Sequence, residues 1–130
     1  MDLSDRAKPL ADAELTQRLF AAITEAATAK KLKRGANEAT KALNRDRAEV
    51  IVLAADATPL EIILHLPLLC EDKNVPYIFV PSMAELGQAC NAARNVVACA
   101  IIKRGAEDPQ DAEIQDLKLS VERCYYQNSE

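Results

Sequence analysis

From Arg34 to Asn44 the chain reads Arg-Gly-Ala-Asn-Glu-Ala-Thr-Lys-Ala-Leu-Asn, and its most chemically capable side chains fall on one short helix. Asn37 and Lys41 are four apart and share a helix face, with Glu38 one position round. That surface offers an amide, a carboxylate and an ammonium. It adjoins the exposed N–H groups and the positive dipole end of a helix start. Such a patch can grip phosphates and read base edges at once. A capped helix start also explains Asn37 and Glu38, and the two readings are compatible.

Other candidates for chemistry are isolated. No G-x-G-x-x-G follows a strand, and there is no G-x-x-x-x-G-K-[ST]. His65 is the sole histidine and lies among Leu64, Leu66 and Leu68, which suits a packed or capping role better than catalysis. Asp56 follows an apolar run, where α/β enzymes often keep carboxylates. It has no His, Lys or metal-ligand partner nearby, and an aspartate there more often orders a turn. Cys90 sits near a helix end, with nothing local to mark a low-pKa thiol. The four cysteines show no C-x-x-C spacing, so they read as buried thiols of a reducing compartment. Neither enzyme activity, a cofactor nor a metal is expected.

The net charge of −4 hides an asymmetry. Between Lys30 and Arg47 seven basic residues (Lys30, Lys31, Lys33, Arg34, Lys41, Arg45, Arg47) face two acids, Glu38 and Asp46. From Glu107 to Glu130 seven acids face Lys118 and Arg123. A local basic patch, unlike the average, governs phosphate binding. Three Tyr, two Phe and no Trp leave little for binding single strands by base stacking. With 49% apolar and 28% charged residues in a 130-residue chain, one soluble, intracellular domain is expected over 1–130. Residues 1–8 are expected to be flexible and 125–130 to form a tail. No apolar stretch is long enough to cross a bilayer.

These groups must be held by alternating strands and helices. Asp12 is placed to cap a helix with Leu15, Leu19, Ala22, Ile23 and Ala26 on one stripe. Lys30 to Gly35 interrupts the pattern before the short helix from about Asn37 to Leu43. Val50–Ala55, Tyr77–Val80 and Val96–Ile102 read as strands. Thr58-Pro59-Leu60-Glu61 combines a Thr cap, a helix-starting Pro and a Glu three residues on. In that helix Ile62, Ile63 and Leu66 form the buried side, and Pro67 kinks or splits it. Ser82–Glu85 is a second capping box, Asn91 to Asn95 a loop, and Asp108-Pro109 the start of a last helix. That helix buries Ile114, Leu117, Val121 and Cys124. The alternation implies an α/β fold, a three-layer α/β/α sandwich about a parallel or mixed sheet.

Longer strings carry a resemblance. Gly35-Ala36-Asn37-Glu38-Ala39-Thr40-Lys41, Pro9-Leu10-Ala11-Asp12-Ala13, and the run Leu64-His65-Leu66-Pro67-Leu68-Leu69-Cys70-Glu71-Asp72-Lys73-Asn74-Val75-Pro76-Tyr77 resemble the kink-turn RNA-binding family of ribosomal and ribonucleoprotein core proteins. Within it the chain is most similar to the small core protein shared by box C/D snoRNPs and the spliceosomal tri-snRNP. The resemblance runs from about Pro9 to Ile102.

The resemblance implies a mixed, roughly four-stranded central sheet and a receptor for an RNA internal loop built on tandem sheared G·A pairs. Lys41 would donate to guanine acceptors, Asn37 donate or accept, and Glu38 accept from N–H groups. Gly35 would let backbone N–H groups approach the RNA closely, and Lys33 and Arg34 would neutralise crowded phosphates. Thr58, Ile62, Arg94 and Val97 fall at the family's other RNA-contacting positions, Ile62 and Val97 lining a pocket for a flipped nucleotide. Thr58 replaces a usual glutamate, Met83 a frequent basic residue, and Ala92-Ala93-Arg94-Asn95 keeps only the Arg of Val-Ser-Arg-Pro. The implied partners are kink-turn RNA (box C/D snoRNA, spliceosomal snRNA) and Nop-domain RNP proteins. The implied setting is the nucleus and nucleolus, with a monomer when free. The rivals are a ribosomal or box H/ACA paralogue and, from another class, a protein-binding adaptor or a nucleotide-handling enzyme.

Overall fold

Ala48–Ala54 is buried along its whole length, as a strand must be when helices cover both its faces. Val50, Val52 and Ala54 point into one apolar core, and Ile51 and Leu53 into another, following the two-residue alternation of a strand. The computed structural model describes residues 5–127. In chain order its elements are α1 (Ala13–Thr28), β1 (Leu32–Arg34), α2 (Ala36–Asn44), β2 (Ala48–Ala54), a 3-10 turn (Leu60–Ile63), α3 (His65–Lys73), β3 (Tyr77–Val80), α4 (Met83–Ala89), β4 (Ala98–Ile102) and α5 (Asp111–Gln127). The strands form one sheet in the order β1-β4-β2-β3. β2 and β3 are parallel, while β4 runs antiparallel to both β1 and β2. Leu19, Ile23, Leu86, Ile114 and Val121 fill the core under α1, α4 and α5. Leu43, Ile63, Leu66 and Cys70 fill the one under α2 and α3. The three-layer sandwich with a mixed four-stranded sheet is therefore as expected.

Two capping residues act as their sequence context suggests. Asp12 Oδ1 accepts from Leu15 N at 2.8 Å and Ser82 Oγ from Glu85 N at 3.2 Å. Four local expectations are corrected. Lys30 to Gly35 is not a simple interruption, because Leu32–Arg34 pairs with β4 as an edge strand. Thr58 caps nothing: its hydroxyl donates to Asp56 O at 3.1 Å, and the 3-10 turn starts behind Pro59 without a side-chain cap. The helix break precedes Pro67, since a proline ring clashes with the carbonyl four residues back, here Ile63. The chain therefore changes from 3-10 to α at Leu64, leaving Pro67 in the first turn of α3. Finally, α5 begins at Asp111, with Asp108 ordering the preceding turn through Gln110 N at 2.8 Å.

Both expected terminal segments contain packed residues. Ala7 is buried, and Pro9 and Ala11 hydrogen bond to Phe79 along the outer side of β3. Tyr125 Oη accepts from Tyr77 N and donates to Tyr77 O at 2.9 Å. Residues 1–4 and 128–130 lie outside the described residues.

Candidate nucleic-acid interface

Sheet topology gathers the candidate residues. β1, β2 and β3 leave the sheet at the end where β4 enters it, as the pairings Arg34 with Cys99, Leu53 with Ala98 and Ala54 with Val80 require. The segments Gly35–Glu38, Thr58–Ile62 and Arg94–Val97 therefore emerge at one end of the molecule. Gly35 N donates to Ala98 O at 2.7 Å and Ala54 N to Val97 O at 2.9 Å, fixing these loops to one another.

Gly35 has φ +100° and ψ 155°, a conformation that an L side chain adopts only under strain. It stands at the N-cap of α2 with no side chain to accept a hydrogen bond. The first-turn N–H groups of α2 are thus left to an external acceptor. A Cβ at Gly35 would meet no atom within 4 Å, so the strain is one of backbone rather than crowding, and the space in front is open. Asn37 is exposed. Lys41 Nζ lies 3.2 Å from Glu38 Oε2, with 55% of the lysine and 44% of the glutamate side chain accessible. An exposed pair of this kind is weak: it holds both groups ready and opens when a ligand competes for them.

Lys33 and Arg34, coupled as phosphate contacts by the resemblance, are separated by the strand. Successive residues of β1 point to opposite faces. Lys33 pairs with Ala100, which belongs to the α2 core, and Arg34 with Cys99, which belongs to the α4 core. Lys33 therefore stays beside Glu38 and Lys41. Arg34 reaches the other way, where its Nε and Nη2 both donate to Cys90 O, at 2.8 and 2.6 Å. Two of its nitrogens are committed to the end of α4, so Arg34 positions the loop that follows.

That loop, Asn91 to Asn95, is held at several points. Ala92 N donates to Gly87 O at 3.0 Å and Val96 N to Met83 O at 3.1 Å. A Cβ on Gly87 would overlap the Arg94 carbonyl oxygen and crowd Asn95 Cα at 3.3 Å; only glycine lets the loop lie this close. The sequence signal for this was available, since a lone Gly within a helical pattern marks close packing. Arg94 is exposed, and Val97 is half-buried just before β4. Thr58 is exposed beyond β2, and Ile62 stands 47% exposed on the 3-10 turn. Asp56 accepts from Met83 N at 2.8 Å, so it orders the entry to α4 as its turn context suggests.

The ribosomal protein L7Ae/L30e/S12e/Gadd45 family profile matches residues 17–110. The chain belongs to this family. It is 59% identical over 124 residues to NHP2-like protein 1 of Xenopus tropicalis, covering 94% of each chain. It is 55% identical over 118 residues to the 13 kDa ribonucleoprotein-associated protein of Mycosarcoma maydis, covering 91% of this chain and 93% of that one. The solved Giardia lamblia 15.5kD RNA binding protein superimposes with a TM-score of 0.89 at 42% identity, covering 94% of this chain and 99% of that one.

Within this L7Ae-family chain the remaining reactive groups serve the scaffold. His65 Nε2 lies 2.9 Å from Thr40 Oγ1, whose single proton goes to Ala36 O at 2.8 Å. The histidine therefore donates, tying α3 to α2. All four cysteines are free and buried. Burial pushes the Cys70 thiol up to about 12. The contact with Cys90 and burial push Cys99 well up, while the same contact lowers Cys90. An enclosed pair of this kind is no accessible nucleophile. Among the described residues no group of three or more His, Cys, Asp or Glu side chains could hold a metal ion.

Proposed function

We propose that this chain is a non-catalytic RNA-binding protein that recognises and stabilises a kink-turn and nucleates assembly of a ribonucleoprotein. The observation that carries the reading is the uncapped start of α2. Gly35 in its strained conformation opens the space in front of α2's first-turn N–H groups, and Asn37, Glu38 and Lys41 are presented beside them. Sheared G·A pairs leave guanine edges with both acceptors and N–H donors open; an ammonium, an amide and a carboxylate match that mixture. Thr58, Ile62, Arg94 and Val97 border the patch from neighbouring loops, where an extruded nucleotide would be held. The unbound RNA samples bent and extended forms, and the protein selects the bent one through its differential affinity. The chain's likeness to an RNA binding protein and to a ribonucleoprotein-associated protein supports the class.

Two finer readings differ in the RNA. The strings Gly35–Lys41 and Leu64–Tyr77 support a box C/D snoRNP and spliceosomal tri-snRNP core protein, in the nucleus and nucleolus, with a Nop-domain protein reading the joint surface. That reading serves 2′-O-methylation and processing of rRNA, and pre-mRNA splicing. The wording "NHP2-like" in the vertebrate relatives' name favours the box H/ACA paralogue. Sequencing the RNA that co-purifies with the native protein separates the two. The shared reading is tested by titrating a G·A-containing kink-turn RNA against a version lacking those pairs. Tighter binding of the first is expected; equal affinity, or no binding at moderate salt, refutes it.

A further inference from the structure

All three tyrosines of the chain, Tyr77, Tyr125 and Tyr126, line one pocket of about 370 Å³. The fold gathers them from distant positions. Tyr77 opens β3, while Tyr125 and Tyr126 lie near the end of α5. Tyr125 Oη accepts from Tyr77 N and donates to Tyr77 O, which holds the two rings with centroids 5.5 Å apart and planes tilted by 39°. Tyr126 brings a third ring, 81% exposed. The end of α3 closes the remaining side. Asn74 terminates that helix at φ 59°, and Val75 N donates to Cys70 O at 2.9 Å, so the chain turns and places Val75 and Pro76 along the pocket. The charge is one-sided. Glu71 and Glu122, both exposed, line the pocket, and among the described residues no lysine or arginine does. The cations nearest in sequence are directed elsewhere: Lys73 Nζ lies 3.7 Å from Asp46 Oδ1, and Arg123 lines a separate groove with Asp12 and Glu14.

We propose that this pocket binds an alkylated ammonium, the group carried by a methylated lysine side chain or by a choline-like small molecule. The faces of aromatic rings attract a cation through their quadrupole, most strongly when the cation sheds its water. An unmodified lysine ammonium is the poorer ligand. It is strongly hydrated and brings three N–H donors. The charged acceptors here are two exposed carboxylates, and Glu71 already accepts from Tyr77 Oη at 3.3 Å. Methylation removes those donors and so lowers the cost of leaving water. Glu71 and Glu122 then attract the cation without having to hydrogen bond to it, and the same two carboxylates repel an anion. The tie between Tyr125 Oη and the Tyr77 backbone fixes two of the three rings in advance, which reduces the ordering that binding requires. Tyr77 stands at the entry of β3, whereas the loops of the nucleic-acid interface follow the strand exits at Ala54 and Val80. The two sites are therefore at opposite ends of the sheet, and this proposal does not rest on the kink-turn reading.

The test titrates the full chain with three probes: trimethyl-lysine blocked at both ends, unmodified lysine blocked in the same way, and choline. The N-methyl proton resonance of a bound methylated probe should move upfield and saturate, because ring currents shield it and carboxylates do not. Blocked trimethyl-lysine should bind about tenfold more tightly than blocked lysine. Tyr126→Ala should weaken its binding about threefold, and Tyr126→Phe, which keeps the ring, should restore it. Glu122→Gln should weaken it at low salt, with the deficit fading as salt screens the carboxylate. Melting temperatures check that each variant folds. Both methylated probes carry the proposed chemistry, and their order of affinity assigns its source: trimethyl-lysine ahead points to a modified protein, choline ahead to a small molecule. Equal binding of trimethyl-lysine and lysine overturns the proposal. So does saturation without an upfield shift, a Tyr126→Ala protein that binds like wild type, or no saturable binding of either methylated probe. None of these outcomes bears on whether the chain discriminates G·A pairs, so the RNA reading and the pocket stand or fall separately.

Discussion

Replacing Gly87 with alanine drives a methyl group against the Arg94 carbonyl oxygen, with Arg94 C and Asn95 Cα each 3.3 Å away. All three are backbone atoms, so no side chain can rotate aside. The loop cannot swing clear either. Ala92 and Val96 are hydrogen bonded to α4, and Arg34 clamps Cys90. Overpacking at such a site costs about 1–3 kcal/mol, which for a domain of this size lowers the melting temperature by roughly 4–12 °C. Gly105→Ala is the control. Its Cβ would meet only the carboxylate end of Glu107, an exposed side chain, so the change should stay within about 0.5 kcal/mol. Urea unfolding of both variants at neutral pH reads the difference through the midpoint at unchanged slope. A Gly87→Ala protein as stable as wild type, or a Gly105→Ala protein equally destabilised, would refute the close-approach argument. RNA titration of the same variant should show weakened binding, because Arg94 is displaced.

Three further outcomes follow from the geometry. Glu38→Ala should weaken G·A-specific binding with little change in salt slope, whereas Lys33→Ala should flatten the slope by roughly one; effects confined to the slope in both would remove base reading from Glu38. Arg34→Ala should cost about 1–3 kcal/mol of stability by freeing the Cys90 carbonyl, and should leave the salt slope close to wild type, in contrast to Lys33→Ala. Stability should decline in alkali. The folded state keeps the Cys70 thiol protonated well above its usual range, while the unfolded chain releases that proton from about pH 8.5 upward. The stabilisation is thus complete below that pH and is lost as pH rises, at up to about 1.4 kcal/mol per pH unit per thiol. Urea midpoints measured from pH 8 to 10.5 under reducing conditions check it, and a flat profile contradicts it.

Legibility in the sequence followed the range of the interactions involved. β2 announced itself as Val50–Ala55 because burial on both faces leaves no polar residue in the run. Asp12 and Ser82 could be read as caps because a cap is satisfied within three residues. β1 could not be read, because three residues with two cations become a strand only through pairing with Cys99, Ala100 and Ile101. Once β1 was missed, the opposite facing of Lys33 and Arg34 was lost too, since facing is a property of the strand. The Gly35–Lys41 element was visible as a local pattern. The meeting of the turns before β1 and β2 was not: Lys31 and Arg47 are sixteen positions apart, and the exit of β4 brings them together through Ile102 N to Lys31 O and Lys103 N to Arg47 O.

The placement of β1 has one more consequence. Its inner side pairs with β4, and no other described strand covers its outer side, so it offers hydrogen-bonding groups to any extended chain that approaches. The opposite border of the sheet is screened by the Pro9–Ala11 segment on Phe79. Among the described residues β1 has no such screen, but it is only three residues long, and two of those are Lys33 and Arg34. Brevity and like charge deter a second copy from adding its own β1 in register. Replacing these residues with apolar, β-branched ones would therefore do more than weaken polyanion binding. It would turn a guarded border into a template for aggregation.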